Sequence, residues 1–159
     1  MKNIIFCIFI LILISCNSSN EIPKDFAIKI KFGHQVYNSK TELLTRQMLR
    51  TKDKSVKLAF TTKQKVKLYD YYKEMDFLKF PSEFECDTLK PGGNIPCSDI
   101  ELEITANGII KSSRTSDYCI QKTEMEKEKK LYEISRMIIK IIEENPAYKK
   151  LPDTDYLSL

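Results

Sequence analysis

The sequence has no tryptophan, only four glycines and a single histidine among its 159 residues. Each shortage narrows the chemistry. Any Ser–His–Asp or Cys–His site must use His34, yet His34 follows Gly33 at the end of a strand pattern, in no catalytic motif, and reads as surface. The pair Gly92-Gly93 follows Pro91, with no Gly-Lys-Ser/Thr after it and no strand leading into it. It is a turn signal and not a phosphate-binding loop. No Cys-x-x-Cys occurs, which removes the spacing that tunes a redox pair. Cys86, Cys97, Cys119 and His34 match no zinc-ligand spacing, so neither a metal nor a cofactor is expected. Strands and helices do not alternate one by one, which argues against a parallel sheet.

What is present begins with the leader MKNIIFCIFILILISC. One lysine, Lys2, precedes an apolar run over residues 4–14, and polar residues follow at once. A spanning helix needs about 20 apolar residues; this run is about half as long and reads as an export signal. Its last four residues, Leu13-Ile14-Ser15-Cys16, resemble the lipobox of bacterial lipoproteins. That resemblance is specific over residues 1–16 alone, and in layout the chain is similar to the small bacterial lipoproteins of unknown function. It implies a signal peptide over residues 1–15, acylation of Cys16, and a lipid anchor on a bacterial membrane, the outer membrane favoured over the inner. Residues 16–24 then read as the lipidated cysteine and a flexible tether.

The charge is unevenly spread. Residues 22–75 hold 13 Lys or Arg against 5 Asp or Glu, while the rest of the mature chain is net acidic. Such asymmetry marks either a solvated face or a surface for an anionic envelope partner, lipid or polysaccharide. Nucleic acid is not expected for an exported, anchored chain. In an oxidising compartment Cys86, Cys97 and Cys119 should form one disulfide and leave one thiol. All three pairings remain open, with Cys97 to Cys119 preferred because a hairpin brings them close.

That hairpin is the clearest local signal. Residues 99–105 (DIELEIT) alternate, Asn107-Gly108 tolerates the positive φ of a tight turn, and residues 109–116 return. A two-residue turn makes partner numbers sum to 215. A second clean alternation covers residues 26–32 (FAIKIKF), ended by Gly33 and His34. Val56, Leu58 and Phe60 mark another strand. Residues 41–50 (TELLTRQMLR) fit a strand or a helix, with the strand favoured because TKDK then makes a hairpin turn. Helical spacing runs over residues 63–76 after Thr61-Thr62, and again from about residue 123 to Pro146, with Leu131, Ile134, Ile138 and Ile141 as its stripe, widened by Met137 and Ile142.

The order βββαββα predicts an α+β domain over residues 25–146. Its antiparallel sheet has four to five strands, with two helices packed on one face. Residues 147–159 read as an extended tail, partly packed through Tyr148 and Leu151. The row Asp99, Glu101 and Glu103 reads as cross-strand pairing with Lys111 and Arg114 and not as a glycosidase acid pair. A binding surface is placed on the tyrosines of the first helix (Tyr69, Tyr71, Tyr72) and on the loop 86–97, with Lys90 and Asn94, together with the end of the hairpin. The expected function is a non-catalytic binding module on the cell envelope. Its rivals are a small envelope-acting hydrolase, with His34 or an acidic pair as base, and a structural factor in outer-membrane assembly.

Overall fold

β1 (Ala27–Phe32) owes its form to alternation: Ile28, Ile30 and Phe32 are buried, while Lys29 and Lys31 face water. The computed structural model describes residues 21–84, 88–89, 99–116, 119–120 and 124–156. Gly33 and His34 do not merely end β1; they turn it back on itself. Phe32 pairs with Gln35, and β2 (Gln35–Asn38) runs antiparallel to β1. Gly33 takes a φ of +52°, which L side chains resist and glycine does not. The four-residue β2 is too short to announce itself by period, and it raises the sheet above the expected four to five strands.

β3 (Leu43–Arg46) and β4 (Lys54–Lys57) extend the meander, so the stretch 41–50 is a strand at its centre and not a helix. Leu58 and Phe60, expected within the strand, are buried just beyond its end. α1 (Thr62–Glu74) starts where Thr61 caps it. The Gln64 N–H donates to Thr61 Oγ1 at 3.2 Å, and the Thr61 N–H donates to Gln64 Oε1 at 2.8 Å. After a 3-10 turn (Phe77–Lys79) and the two-residue strand β5 (Thr88–Leu89) come β6 (Asp99–Ala106) and β7 (Ile109–Ser116). Their register, Asp99 to Ser116 through Ala106 to Ile109, sums to 215 at every rung. Asn107 and Gly108 both take positive φ in the turn. β8 (Cys119–Ile120) pairs with β5, and α2 (Met125–Glu144) follows.

The main sheet has six antiparallel strands in the order β4-β3-β2-β1-β6-β7. One face carries the core. Ile28, Ile30, Tyr37, Leu44, Leu102 and Ile104 from the sheet meet Leu68 of α1 and Leu131, Ile134, Ile138 and Ile142 of α2. Ile142 is fully covered, whereas the expected Ile141 lies at the margin of the stripe. Buried Tyr37 donates its hydroxyl to the Leu58 carbonyl at 2.9 Å and stacks on Phe60. Burial of that hydroxyl raises its pKa far above the ordinary tyrosine value.

The open face is a charge ladder. Glu103 lies opposite Lys29, and Glu101 lies between Lys31 and Arg114. The acidic row is therefore flanked by bases, as expected, although Lys111 is not one of them. It sits opposite Ile104, on the covered side. The edge at β7 is shielded: the Phe84 N–H donates to the Arg114 carbonyl, the Arg114 N–H to the Ser82 carbonyl, and the Arg114 guanidinium meets Glu83.

Candidate functional site

The register places Phe32, Gln35, Arg46 and Lys54 on one rung at one end of the sheet. Rung partners share a face, so the alternation Leu44-Thr45-Arg46 puts an arginine where the sheet faces the core. Arg46 is only 7 % exposed. Charged groups at such positions are costly unless partnered, and here the partners are neutral. Nε and Nη2 donate to Gln35 Oε1 at 3.4 and 3.3 Å, and Nη1 donates to the Pro152 carbonyl at 2.5 Å. The guanidinium also lies over the Tyr148 ring, 5.0 Å from its centroid. Among the described residues no carboxylate forms an ion pair with it. A guanidinium has five N–H donors; these contacts leave one on each terminal nitrogen.

Arg46 lines a cleft of about 380 Å³ together with His34, Gln35, Tyr148, Asp153 and Thr154. Its outer wall is the C-terminal segment, held by three devices. Tyr148 begins a 3-10 turn (Tyr148–Lys150) and packs with Leu151 against the core. Tyr156 stacks face to face on His34, ring centroids 3.7 Å apart and planes 9° from parallel. The Asp155 carboxylate accepts the Leu49 N–H at 2.5 Å and the Arg50 N–H at 2.9 Å. Those backbone bonds, Leu49 first, hold the Asp155 carboxyl below its ordinary pKa. The segment expected as an extended tail is thus one side of a site.

The sequence-derived candidates fall elsewhere. Tyr69 is 8 % exposed and meets Phe26 edge-on at 5.1 Å; Tyr72 lies between Tyr69 and Phe77. Tyr71 reaches across to α2, where its hydroxyl meets the Glu133 carboxylate, and burial with that contact raises its pKa. The three tyrosines thus tie α1 to Phe26, just ahead of β1, and to α2. Lys90, Asn94, Cys16, Cys86 and Cys97 lie outside the described residues. Cys119 lies in β8 with its backbone opposite Leu89. The β6–β7 ladder runs to Asp99 and Ser116, and the preferred Cys97 to Cys119 bridge lies outside the described residues. Asp99 stands at the same end of the sheet as Arg46.

His34 was legible as the lone histidine but not as a cleft residue, because the ring that covers it comes from 122 positions away. Arg46 does carry a signal in the sequence: two residues after Leu44 in a strand, it shares that leucine's face. Among the described residues there is no cluster of three or more His, Cys, Asp or Glu side chains that could hold a metal, and no helix long and apolar enough to cross a membrane. No family model matches the sequence, and no curated protein matches it.

Proposed function

We propose that this chain is a lipid-anchored protein of the bacterial envelope whose domain is a non-catalytic binding module, and that the cleft at Arg46 takes a carboxylate of its ligand. The observation that carries the binding reading is the buried guanidinium: a full positive charge lining a cleft, satisfied by a side-chain amide, a carbonyl and a ring face. Planar, bidentate pairing with a carboxylate is what a guanidinium does best, and the low dielectric of a covered site strengthens it. The rings of Tyr148 and His34 line the same cleft. Asp153, also in the lining, selects against a second negative charge on that side. The leader ending in Leu13-Ile14-Ser15-Cys16 supports the anchor.

The test is photo-crosslinking in intact cells. A photoreactive residue replaces Thr154, at the rim of the cleft, in chains with Arg46 and with Arg46→Met. The account expects one recurrent envelope adduct that Arg46→Met abolishes. An adduct that persists in Arg46→Met, or none from an abundant folded chain, overturns the cleft as the binding site. A structural role in outer-membrane assembly would instead appear as detergent sensitivity on deletion, unaltered by Arg46→Met.

A further inference from the structure

The far end of the sheet has its own character. The β6–β7 turn ends in Ile109 and Ile110, 50 % and 66 % exposed. Ile110 shares a rung with Thr105 and Ala27 on the open face, and Ile109 faces the other way opposite Ala106. The hairpin tip therefore presents isoleucine on both of its sides. Large apolar side chains kept in water at a chain turn are unfavourable unless something covers them.

The place where the tether joins the domain says what does. Asp25, one residue before Phe26, accepts the Asn107 N–H at 3.0 Å and the Gly108 N–H at 2.6 Å. The two bonds, Gly108 first, lower the Asp25 pKa. They clamp the start of the domain onto the hairpin turn. Cys16 is nine residues before Asp25, and nine residues fully extended span at most about 30 Å. Whatever leaflet holds Cys16, the tip stands within that distance of it. Lys24, Lys40 and Lys57 are exposed near this same end, beside Glu21 and Glu42. The lysines suit anionic headgroups.

We propose that the β6–β7 tip is a bilayer contact, with Ile109 and Ile110 entering the interface of the leaflet that holds the acylated Cys16. The contact rests on the lipoprotein reading of Cys16. It adds a second point of attachment, which fixes the domain's orientation and turns the Arg46 cleft away from the membrane.

Because the chain contains no tryptophan, Ile110→Trp makes a single-site probe. The full acylated chain is purified from membranes and floated with vesicles of phosphatidylethanolamine and phosphatidylglycerol, with and without brominated acyl chains. Lys52→Trp, in the exposed β3–β4 loop at the cleft end, is the control. The expected result is co-flotation of both variants, with bromine quenching and a blue shift for Ile110→Trp alone. Co-flotation with neither probe quenched, or both quenched equally, overturns the tip contact while leaving the anchor in place. Absence of co-flotation, with mass spectrometry showing Cys16 unmodified, overturns the anchor reading and the tip contact together. Tip residues that stay fully accessible to iodide on the vesicles also overturn it, and leave a protein partner as the cover for the two isoleucines.

Discussion

The two ends of the six-stranded sheet are built from the same strands and differ in almost everything else. At one end a short segment near the start of the domain is clamped to a hairpin turn by Asp25, and isoleucines project outward. At the other a segment near the C-terminus is clamped to the β3–β4 loop by Asp155, and a buried arginine and a stacked histidine project inward. Each clamp is one carboxylate accepting two consecutive backbone N–H groups. The device is the same; what it assembles is not. One clamp lies beside two exposed isoleucines; the other walls off a cleft and leaves Leu49 in the open. On the proposed reading, a single sheet about 20 Å from end to end separates attachment from recognition.

The largest effect belongs to the attachment end. Cys16→Ser should move the whole chain from the membrane to the soluble fraction and abolish incorporation of labelled palmitate, and a mutant that stays labelled would remove the basis for calling that end membrane-facing. Next comes the shared core, which should not distinguish the ends. Leu102→Ala, at a fully buried position between them, is expected to lower unfolding stability in urea by about 2–5 kcal/mol, loosening both ends together. Loss of amide protection at only one end would show that the two ends do not share one cooperative core.

Arg46→Met should be smaller and local. Gln35 and the Pro152 carbonyl lose a charged donor, at a cost of about 1–3 kcal/mol. Exchange protection should drop around residues 150–156 while the hairpin turn keeps its own. A uniform loss over both ends would contradict the division between them.

Acid should produce the smallest change and should touch both ends. The Asp25 and Asp155 carboxyls are held below the ordinary value of 3.8 in the folded chain. A depressed folded-state pKa means that their contribution is complete above the unfolded value and is lost as pH falls through the folded one. Between neutrality and about pH 5 neither clamp should change; below about pH 4 both should loosen. Amide exchange at Leu49 and Arg50 reports one clamp, and exchange at Asn107 and Gly108 the other. Asp155→Asn should accelerate the first pair at neutral pH and leave the second untouched.

The sequence made some of this readable and hid the rest for physical reasons. The β6–β7 hairpin was legible to the rung, because Asn107-Gly108 fixes both the turn and the register. The Thr61 cap, both helices and β1 followed from local pattern. β2 escaped because four residues, QVYN, are too few to show a period, and because a turn glycine followed by a histidine reads as a stop. The cleft escaped for a different reason: it is made by contacts between residues more than 100 positions apart, Arg46 with Pro152 and Leu49 with Asp155. Periodicity carries no information about such pairs. By sequence the tyrosines of α1 could form a binding face, yet Phe26, just ahead of β1, packs edge-on against Tyr69. Composition shows that aromatic side chains are present; only packing shows which of them are left for a ligand.

The most direct test of the account is at the Arg46 guanidinium itself. In the full chain labelled with ¹⁵N-arginine, the Arg46 Nε–H resonance is followed while sodium acetate is added, with sodium chloride as the control at equal ionic strength. The account predicts a saturable shift of that resonance together with the His34 ring signals. Both responses should be absent in Arg46→Met, with no movement at Gly108. An Arg46 resonance that responds to acetate no more than to chloride would contradict it, and would leave the buried arginine as a staple for the C-terminal segment alone.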